Sequence, residues 1–421
     1  MKKTLCLFLS VLVFVMLLTG CKDNKPNGSE DYDLWDGSVA DSFDGGNGTS
    51  ETPYEIASAA QLAFLAEEIN SGKDYKGKYF SLLCNLDLNS LEWTPIGNWN
   101  YSFQGFFDGN GYCIKNLRVT TGTQYEREHP YAVFKEYVAG LFGFCTDCTI
   151  KNLNLDCVDI VVQNTVDRDQ IRVGSVAGAV YVDQMFEMSN IRVSNSKITL
   201  AIAQENPPTN IYLGGVAGCV WGMLNDSEIN IQRLQTDVTI SIESSYGHNN
   251  YLGGLIGDVT TLNKCDVKDC ASYLSVQVDK EDCHNADNYF GAFGSAYRGT
   301  STSGEFITLS NIFSSVVVNK IFDYFHFDIP AYTANAIIGE TYHGKQQDGT
   351  RTGGYKFENL FGFVKQIDEE IDEVQIEKRL YNMGEAIYTE TNCQGCDSLP
   401  ANCHFDEDVW DLSDLAAPKL K

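Results

Sequence analysis

The sequence predicts an all-β protein, a parallel β-helix (solenoid) with a short N-terminal capping helix. Three observations support this prediction. A glycine-rich box recurs along the middle of the chain, a stretch with strand-like alternation follows each box, and 43% hydrophobic residues exclude a mostly disordered chain. Stacked repeats would share one core, because a single short repeat cannot bury its own apolar face.

The glycine box has five clear copies and one weaker copy. Each copy sets small residues beside Leu, Val, Ile or Phe, as in Gly214-Gly215-Val216-Ala217-Gly218. The final glycines, separated by 35, 40, 39, 37 and 45 residues, are Gly143, Gly178, Gly218, Gly257, Gly294 and Gly339. Glycine permits either a close approach of a neighbouring backbone or a turn at positive φ. Both roles predict a glycine column along a narrow edge of the stack.

A second element with apolar alternation follows each box, as in Ile150-Lys151-Asn152-Leu153-Asn154-Leu155. Alternation with period two predicts strands, so each repeat supplies two or three of them. Asparagine recurs at one turn of this element, at Asn152, Asn190, Asn311 and Asn359. Stacking predicts that these side chains form a hydrogen-bonded ladder along the axis.

Residues 34–118 are predicted to form the N-terminal cap and the first coils. Ser58 and Gln61 make a capping-box pattern, and the apolar stripe of one amphipathic helix follows at Leu62, Leu65, Ala66 and Ile69. Such a helix would cover the exposed edge of the first coil, which otherwise invites edge-to-edge association.

Residues 119–363 carry the repeats, and residues 364–421 are predicted to form a C-terminal cap. Within this cap the acidic stretch from Ile367 to Arg379 fits either a short helix or a strand. Large apolar side chains that would close the core follow at Trp410, Leu412, Pro418 and Leu420.

Residues 1–20 are predicted to be a lipoprotein signal peptide. Lys2 and Lys3 precede an apolar segment, and the segment ends at Leu18-Thr19-Gly20-Cys21, which resembles the bacterial lipobox. The pattern predicts lipid attachment at Cys21, with an ordinary secretory peptide as the alternative. Residues 21–33 form a tether, and Lys22-Asp23 resembles the export signal of surface lipoproteins. The predicted location is the bacterial cell envelope, as a surface-exposed outer-membrane lipoprotein anchored in the membrane through Cys21.

No motif in the sequence predicts a catalytic residue, a metal site or a cofactor. The chain has no His-Glu-x-x-His, no Gly-x-Ser-x-Gly and no phosphate loop. The spacings Cys145-x2-Cys148 and Cys393-x2-Cys396-x6-Cys403-His404 do not match a zinc motif, so free thiols or local disulfides are favoured. The net charge of -27 argues against a nucleic-acid partner.

The repeats also carry a family resemblance. The Gly-Leu-Phe-Gly box at residues 140–143 and the Gly-Gly-Val-Ala-Gly box at residues 214–218 resemble the GLUG motif of bacterial surface proteins. The segments at residues 93–97 and 103–111 resemble the lead-in to such repeats, and Trp35-Asp36-Gly37-Ser38 resembles the opening of that region in adhesin-like lipoproteins of Bacteroides-type bacteria. The resemblance covers roughly residues 34 to 363. It implies a right-handed β-helix and an adhesin-like surface role.

The expected function is therefore that of a lipid-anchored, adhesin-like β-solenoid that binds glycans or host or matrix proteins without catalysis. Aromatic residues shortly after the boxes, Tyr181, Trp221 and Tyr297, are candidate platforms for sugar rings. One alternative is a polysaccharide lyase or hydrolase of the β-helix class, with acids and bases such as Asp183, Asp258 and Arg298 assembled from different coils. Another is a structural stalk subunit.

Overall fold

The computed structural model shows the predicted parallel β-solenoid. It describes residues 31–421 except 130–131, 164–169, 203–209, 223, 247–248, 279–282, 285–286, 300–305, 320–331, 344–353, 369–372, 378–379, 382–387, 397, 399, 401–404, 409 and 415–416. Asp33–Lys421 form one compact unit, and residues 31 and 32 are the described part of the unit Met1–Tyr32. The predicted signal peptide and Cys21 therefore lie outside the described residues.

The N-terminal region contains the one helix of the described chain and several short strands. The elements are β1 (Tyr32–Leu34), β2 (Tyr54–Ile56), α1 (Ala59–Asn70), β3 (Tyr79–Leu82), β4 (Asn85–Asp87), β5 (Phe106–Asp108), β6 (Cys113–Lys115) and β7 (Arg118–Val119).

Helix α1 forms as the capping pattern predicts. The Gln61 backbone N–H donates to the Ser58 hydroxyl, and the Gln61 side chain accepts from the Ala57 N–H at 2.7 Å. The predicted stripe, Leu62, Leu65, Ala66 and Ile69, is buried in the main core. No helix in the described part of the chain is long and apolar enough to cross a bilayer.

The repeats form the body of the solenoid. Their strands are β8 (Thr123–His129), β9 (Ala132–Ala139), β10 (Phe142–Thr146), β11 (Thr149–Asp156), β12 (Asp159–Gln163), β13 (Gln170–Gly174), β14 (Ala177–Val182), β15 (Met185–Ala201), β16 (Asn210–Gly214), β17 (Ala217–Gly222), β18 (Glu228–Tyr246), β19 (Asn249–Thr261), β20 (Lys264–Val278), β21 (Cys283–His284), β22 (Asp287–Arg298), β23 (Phe306–Asn319), β24 (Tyr332–Ala334), β25 (Ile338–His343) and β26 (Gly354–Asp368). Strand β26 continues across the predicted boundary between residues 363 and 364.

Three parallel ladders run along the solenoid. One stacks the strands that precede the boxes (β9, β13, β16, β19, β22, β24), and a second stacks the strands that follow them (β10, β14, β17, β19, β22, β25). The third stacks the long strands of the alternating element (β11, β15, β18, β20, β23, β26). Apolar side chains that point inward from all three ladders fill one continuous core.

The glycine column exists, and its cause is a close approach of backbones. The closing glycines have no positive φ. A Cβ added at Gly257 would lie 2.5 Å from the Gly218 carbonyl oxygen and 2.8 Å from the Leu213 nitrogen. Gly178, Gly218, Gly294 and Gly339 are equally crowded by the backbone of the preceding coil. Of the two roles that the sequence left open, the structure therefore shows the first.

The column extends one coil further toward the N-terminus than the sequence analysis placed it. Ile96 pairs with Phe142, and a Cβ on Gly143 would lie 2.6 Å from the Gly97 carbonyl oxygen. The segment Trp93–Gly97 is therefore a divergent copy of the box, and its closing glycine differs from the later ones because Gly97 adopts a positive φ of 84°. The sequence does not reveal this because the segment shares only its final two residues, Ile96-Gly97, with later copies such as Ile256-Gly257.

The predicted asparagine ladder forms as two hydrogen-bonded pairs, which are separated in the column by Arg233 and Asp269. Asn152, Asn190, Asn311 and Asn359 all adopt the left-handed conformation, with φ between 51° and 54°. The Asn190 amide donates to Asn152 at 2.8 Å, and the Asn359 amide donates to Asn311 at 2.8 Å. Asparagine suits this column because it tolerates positive φ and offers both a donor and an acceptor.

The C-terminal residues form β27 (Glu373–Glu377), β28 (Tyr388–Thr391), β29 (Gln394–Gly395), β30 (Trp410–Asp411) and β31 (Lys419–Leu420). The acidic stretch that fitted a helix or a strand contains β27, which pairs antiparallel with β26. Trp410 and Leu412 do not close the main core, although the sequence predicted that they would. They pack on an outer apolar patch that includes Phe313 and Phe361, separate from the main core.

We expect Gly257→Ala to lower the free energy of unfolding by about 3 kcal/mol, because the new methyl group meets backbone atoms on both sides of the bend in the preceding coil, which cannot both retreat. The matched control is Gly111→Ala, where an added Cβ meets nothing within 4 Å. Its φ of 78° predicts a loss of only about 1 kcal/mol. Urea unfolding of the two variants measures the difference, and equal losses would contradict the close-approach account.

Candidate binding site

A groove lies outside the main core, in the angle between the strands before and after each glycine box. The Tyr212 ring on β16 and the Trp221 ring on β17 face each other across it, with centroids 5.9 Å apart and planes at 86°. The closing glycines set this angle, since a Cβ on Gly257 would also lie 2.9 Å from the Tyr212 carbonyl carbon. We call this surface the tyrosine groove.

One wall of the groove is a column of stacked tyrosines. Tyr212, Tyr251 and Tyr289 occupy the same register position on successive coils. Their ring centroids are 5.2 Å and 5.1 Å apart, with planes inclined by 10° and 11°. Tyr212 is buried, whereas Tyr251 and Tyr289 are half-buried. The wall therefore presents flat, partly accessible rings along the axis.

The opposite wall carries a second column in the strands that follow the boxes. Tyr181, Trp221, Thr260 and Tyr297 share one register position. Tyr181 and Trp221 stack with centroids 5.4 Å apart and planes at 18°. The three aromatic residues singled out in the sequence are therefore members of one column, and all three are half-buried.

A buried cation fills the N-terminal end of the groove. Arg172 precedes Tyr212 in the first column and forms an ion pair with Glu136, and both side chains are fully buried. The Arg172 guanidinium carbon lies 4.4 Å from the centroid of the Trp221 ring and about 6 Å from those of Tyr181 and Tyr212. Three aromatic faces thus surround one guanidinium group.

The floor of the groove changes from apolar to polar along the axis. Phe144, Ala179 and Cys219 form an apolar cluster at the N-terminal end, and burial raises the pKa of the Cys219 thiol to about 12. The next residues in the same register are Asp258, Ser295 and Glu340. The polar end of the floor therefore carries two acidic side chains.

Asp258 is the most constrained of these polar residues, with 5% of its surface exposed. Its carboxylate accepts hydrogen bonds from the Trp221 indole N–H, the Ser295 hydroxyl and the Thr260 hydroxyl. Burial raises the pKa of Asp258 above its usual value, although these hydrogen bonds and the charge of Arg172 act in the opposite direction.

A cavity of about 470 Å³ opens at the polar end of the groove. This volume lies in the range of about 300–1,000 Å³ that is typical of small-ligand sites. Its aromatic and acidic lining consists of Tyr212, Trp221, Tyr251, Tyr297, Asp258 and Glu340. Among the described residues that line it, none is basic.

Two candidates of the enzymatic alternative, Asp183 and Asp258, do not come together. Asp258 lies in the groove, but Asp183 is exposed at the turn after β14, where its backbone N–H donates to Asp147 at 2.9 Å. Arg298 is paired with Thr261 in the backbone register of β22. Asp183 and Asp258 therefore belong to different positions of the repeat.

Sequence reasoning missed the tyrosine wall, Arg172 and Glu340. A signal was available for the tyrosines, because Tyr212, Tyr251 and Tyr289 each stand two residues before the first glycine of a box. No such signal marks Arg172 or Glu340. Their roles depend on which side chains of neighbouring coils lie beside them, and spacing along the chain does not show this.

The cysteines of these two clusters that the structure describes are free thiols. Cys145 and Cys148 are buried and unbridged, and burial raises the pKa of Cys145 well above its usual value. Cys396 packs in the outer apolar patch, whereas Cys403 and His404 lie outside the described residues. Across the described chain, no three His, Cys, Asp or Glu side chains are grouped to hold a metal ion.

Comparisons with known proteins give partial matches. No family model and no solved structure matches the chain. Halomucin of Haloquadratum walsbyi is 26% identical over 222 residues, which cover 51% of this chain and 2% of halomucin. A putative Gly-rich membrane protein of Evansella cellulosilytica is 34% identical over 83 residues, which cover 18% of this chain and 9% of that protein. The chain thus resembles small parts of longer proteins.

We expect Arg172→Met to lower the free energy of unfolding by about 3–5 kcal/mol, because Glu136 would remain buried without its cation. The double variant Arg172→Met/Glu136→Gln removes that charge and should recover more than half of the loss. Urea unfolding at neutral pH measures both. A double variant no more stable than Arg172→Met would show that the ion pair does not control stability at this end of the groove.

Proposed function

We propose that this protein is a lipid-anchored, adhesin-like binding protein of the bacterial cell surface that takes glycans or host or matrix proteins as ligands and does not catalyse a reaction. The observation that supports this proposal is the tyrosine groove, with two aromatic columns beside an open cavity. Aromatic faces bind the apolar faces of sugars and the side chains of proteins, and their stiff rings lose little entropy on binding.

The signal-peptide sequence and the comparisons both support the proposed location. The lipobox-like sequence at Cys21 supports an outer-membrane lipoprotein, and the name of one partial relative describes a membrane protein. Several acyl chains on one cysteine would give stable anchoring. The 11 residues between Cys21 and the compact unit that begins at Asp33 would then link the lipid anchor to the solenoid.

A polysaccharide-cleaving enzyme is the second candidate, favoured by one observation. Asp258 and Glu340 line the same cavity and lie two coils apart in one register column. Two strand spacings place their backbones about 9.6 Å apart, which is compatible with the roughly 6.5–9.5 Å between the carboxyl groups of inverting glycosidases. The raised pKa of Asp258 would suit a general acid.

A panel of polysaccharides and matrix proteins, screened for both binding and product release, tests the proposed function. We expect binding without turnover. Tyr251→Leu should weaken it about tenfold because one ring of the stacked wall is lost. The control Tyr388→Leu removes an exposed ring outside the groove and should leave affinity unchanged. Release of reducing ends or unsaturated sugars would establish the enzymatic alternative, and no binding at all would favour a structural stalk.

We expect Cys21→Ala to abolish labelling of the protein by radioactive fatty acid and to shift it from the membrane fraction to the soluble fraction. Cys6→Ala, in the leader, is the matched control and should change neither property. Fractionation with metabolic labelling in a Gram-negative host measures both. Continued labelling of the Cys21→Ala protein would disprove attachment at this residue.

A further inference from the structure

We propose that the cavity at the polar end of the tyrosine groove binds a guanidinium group, and that the ligand is an arginine-bearing polypeptide segment. This inference rests on the proposed binding function and narrows it to one class of ligand. The cavity combines aromatic faces with two carboxyl groups, and none of its described lining residues is basic. That combination is suited to a planar cation.

The groove already holds one guanidinium in this way. Arg172 lies against the Trp221 face at 4.4 Å, with Tyr181 and Tyr212 as further walls and Glu136 as the paired acid. Arg172 is part of the fold, so this arrangement shows what the repeat can accommodate between its two aromatic columns.

The cavity repeats that chemistry further along the axis. Tyr212 and Trp221 contribute to both places, and Tyr251 and Tyr297 continue the two columns. The coils that follow carry tyrosine at the register position of Arg172. The floor of the groove carries an acidic side chain there, Asp258. A cation supplied by a ligand would thus find aromatic walls and a negative floor.

Charge favours the same ligand. Glu340 is half-buried at the edge of the cavity and hydrogen-bonds with Tyr251. A guanidinium can engage a carboxylate through two parallel hydrogen bonds, which an ammonium group cannot. The net charge of -27 would also steer a basic partner toward the protein.

Calorimetric titration of the full mature chain with acetyl-Gly-Arg-Gly-amide tests the proposal. One arginine per peptide limits nonspecific attraction to the acidic surface, and physiological salt limits it further. We expect a dissociation constant of about 1 mM or tighter. The citrulline peptide, which keeps the shape but lacks the charge, should bind at least about tenfold more weakly.

Two isosteric variants locate the site. Glu340→Gln should weaken binding of the arginine peptide about tenfold. Glu358→Gln removes the same charge at an exposed position of β26 and should leave binding unchanged. Equal affinity for the arginine and citrulline peptides, equal effects of the two variants, or no binding would overturn the proposal. If the panel of glycans binds while the arginine peptide does not, this inference fails but the proposed binding function stands.

Discussion

The architecture depends on one steric constraint, the contact of backbone with backbone at the closing glycine of each box. Gly218, Gly257 and Gly294 leave no room for a Cβ because the preceding coil lies directly against them. The coil can therefore bend sharply at the box. The strands before and after the bend then face each other on the outside of the solenoid, and the repeat stacks this bend into a continuous angle.

The tyrosine groove is a consequence of that angle. Side chains that would point into solvent from a flat sheet are brought within van der Waals range, as the 5.9 Å separation of the Tyr212 and Trp221 rings shows. At the N-terminal end, apolar residues and the Arg172–Glu136 pair fill the groove. At the other end, the cavity beside Asp258 stays open. One repeated geometry thus yields both a stable wall and a candidate binding site.

The sequence predicted the stacked architecture because its determinants are local and repeated. Three features recur in the repeats: the closing glycines, the alternation after each box and the asparagines with left-handed φ. Each of them can be recognised from the sequence of a single coil. The site was harder, because Arg172, Tyr212 and Trp221 meet through coil-to-coil register rather than through spacing along one strand. The C-terminal residues were misplaced for a similar reason. Trp410 is apolar enough for any core, and nothing local shows that the outer patch at Phe313 and Phe361 receives it.

The other features of the molecule depend on the in-register parallel stack, and a distance between labels on one ladder tests this stack most directly. Residues 151 and 358 lie 207 positions apart in the chain but only five register steps apart on the third ladder. At about 4.8 Å per step, their backbones should be about 24 Å apart. Spin labels attached through a ketone-bearing amino acid at these positions would measure this by pulsed electron paramagnetic resonance. A narrow distribution near that value is the predicted result, and a distance above about 40 Å would contradict the stack.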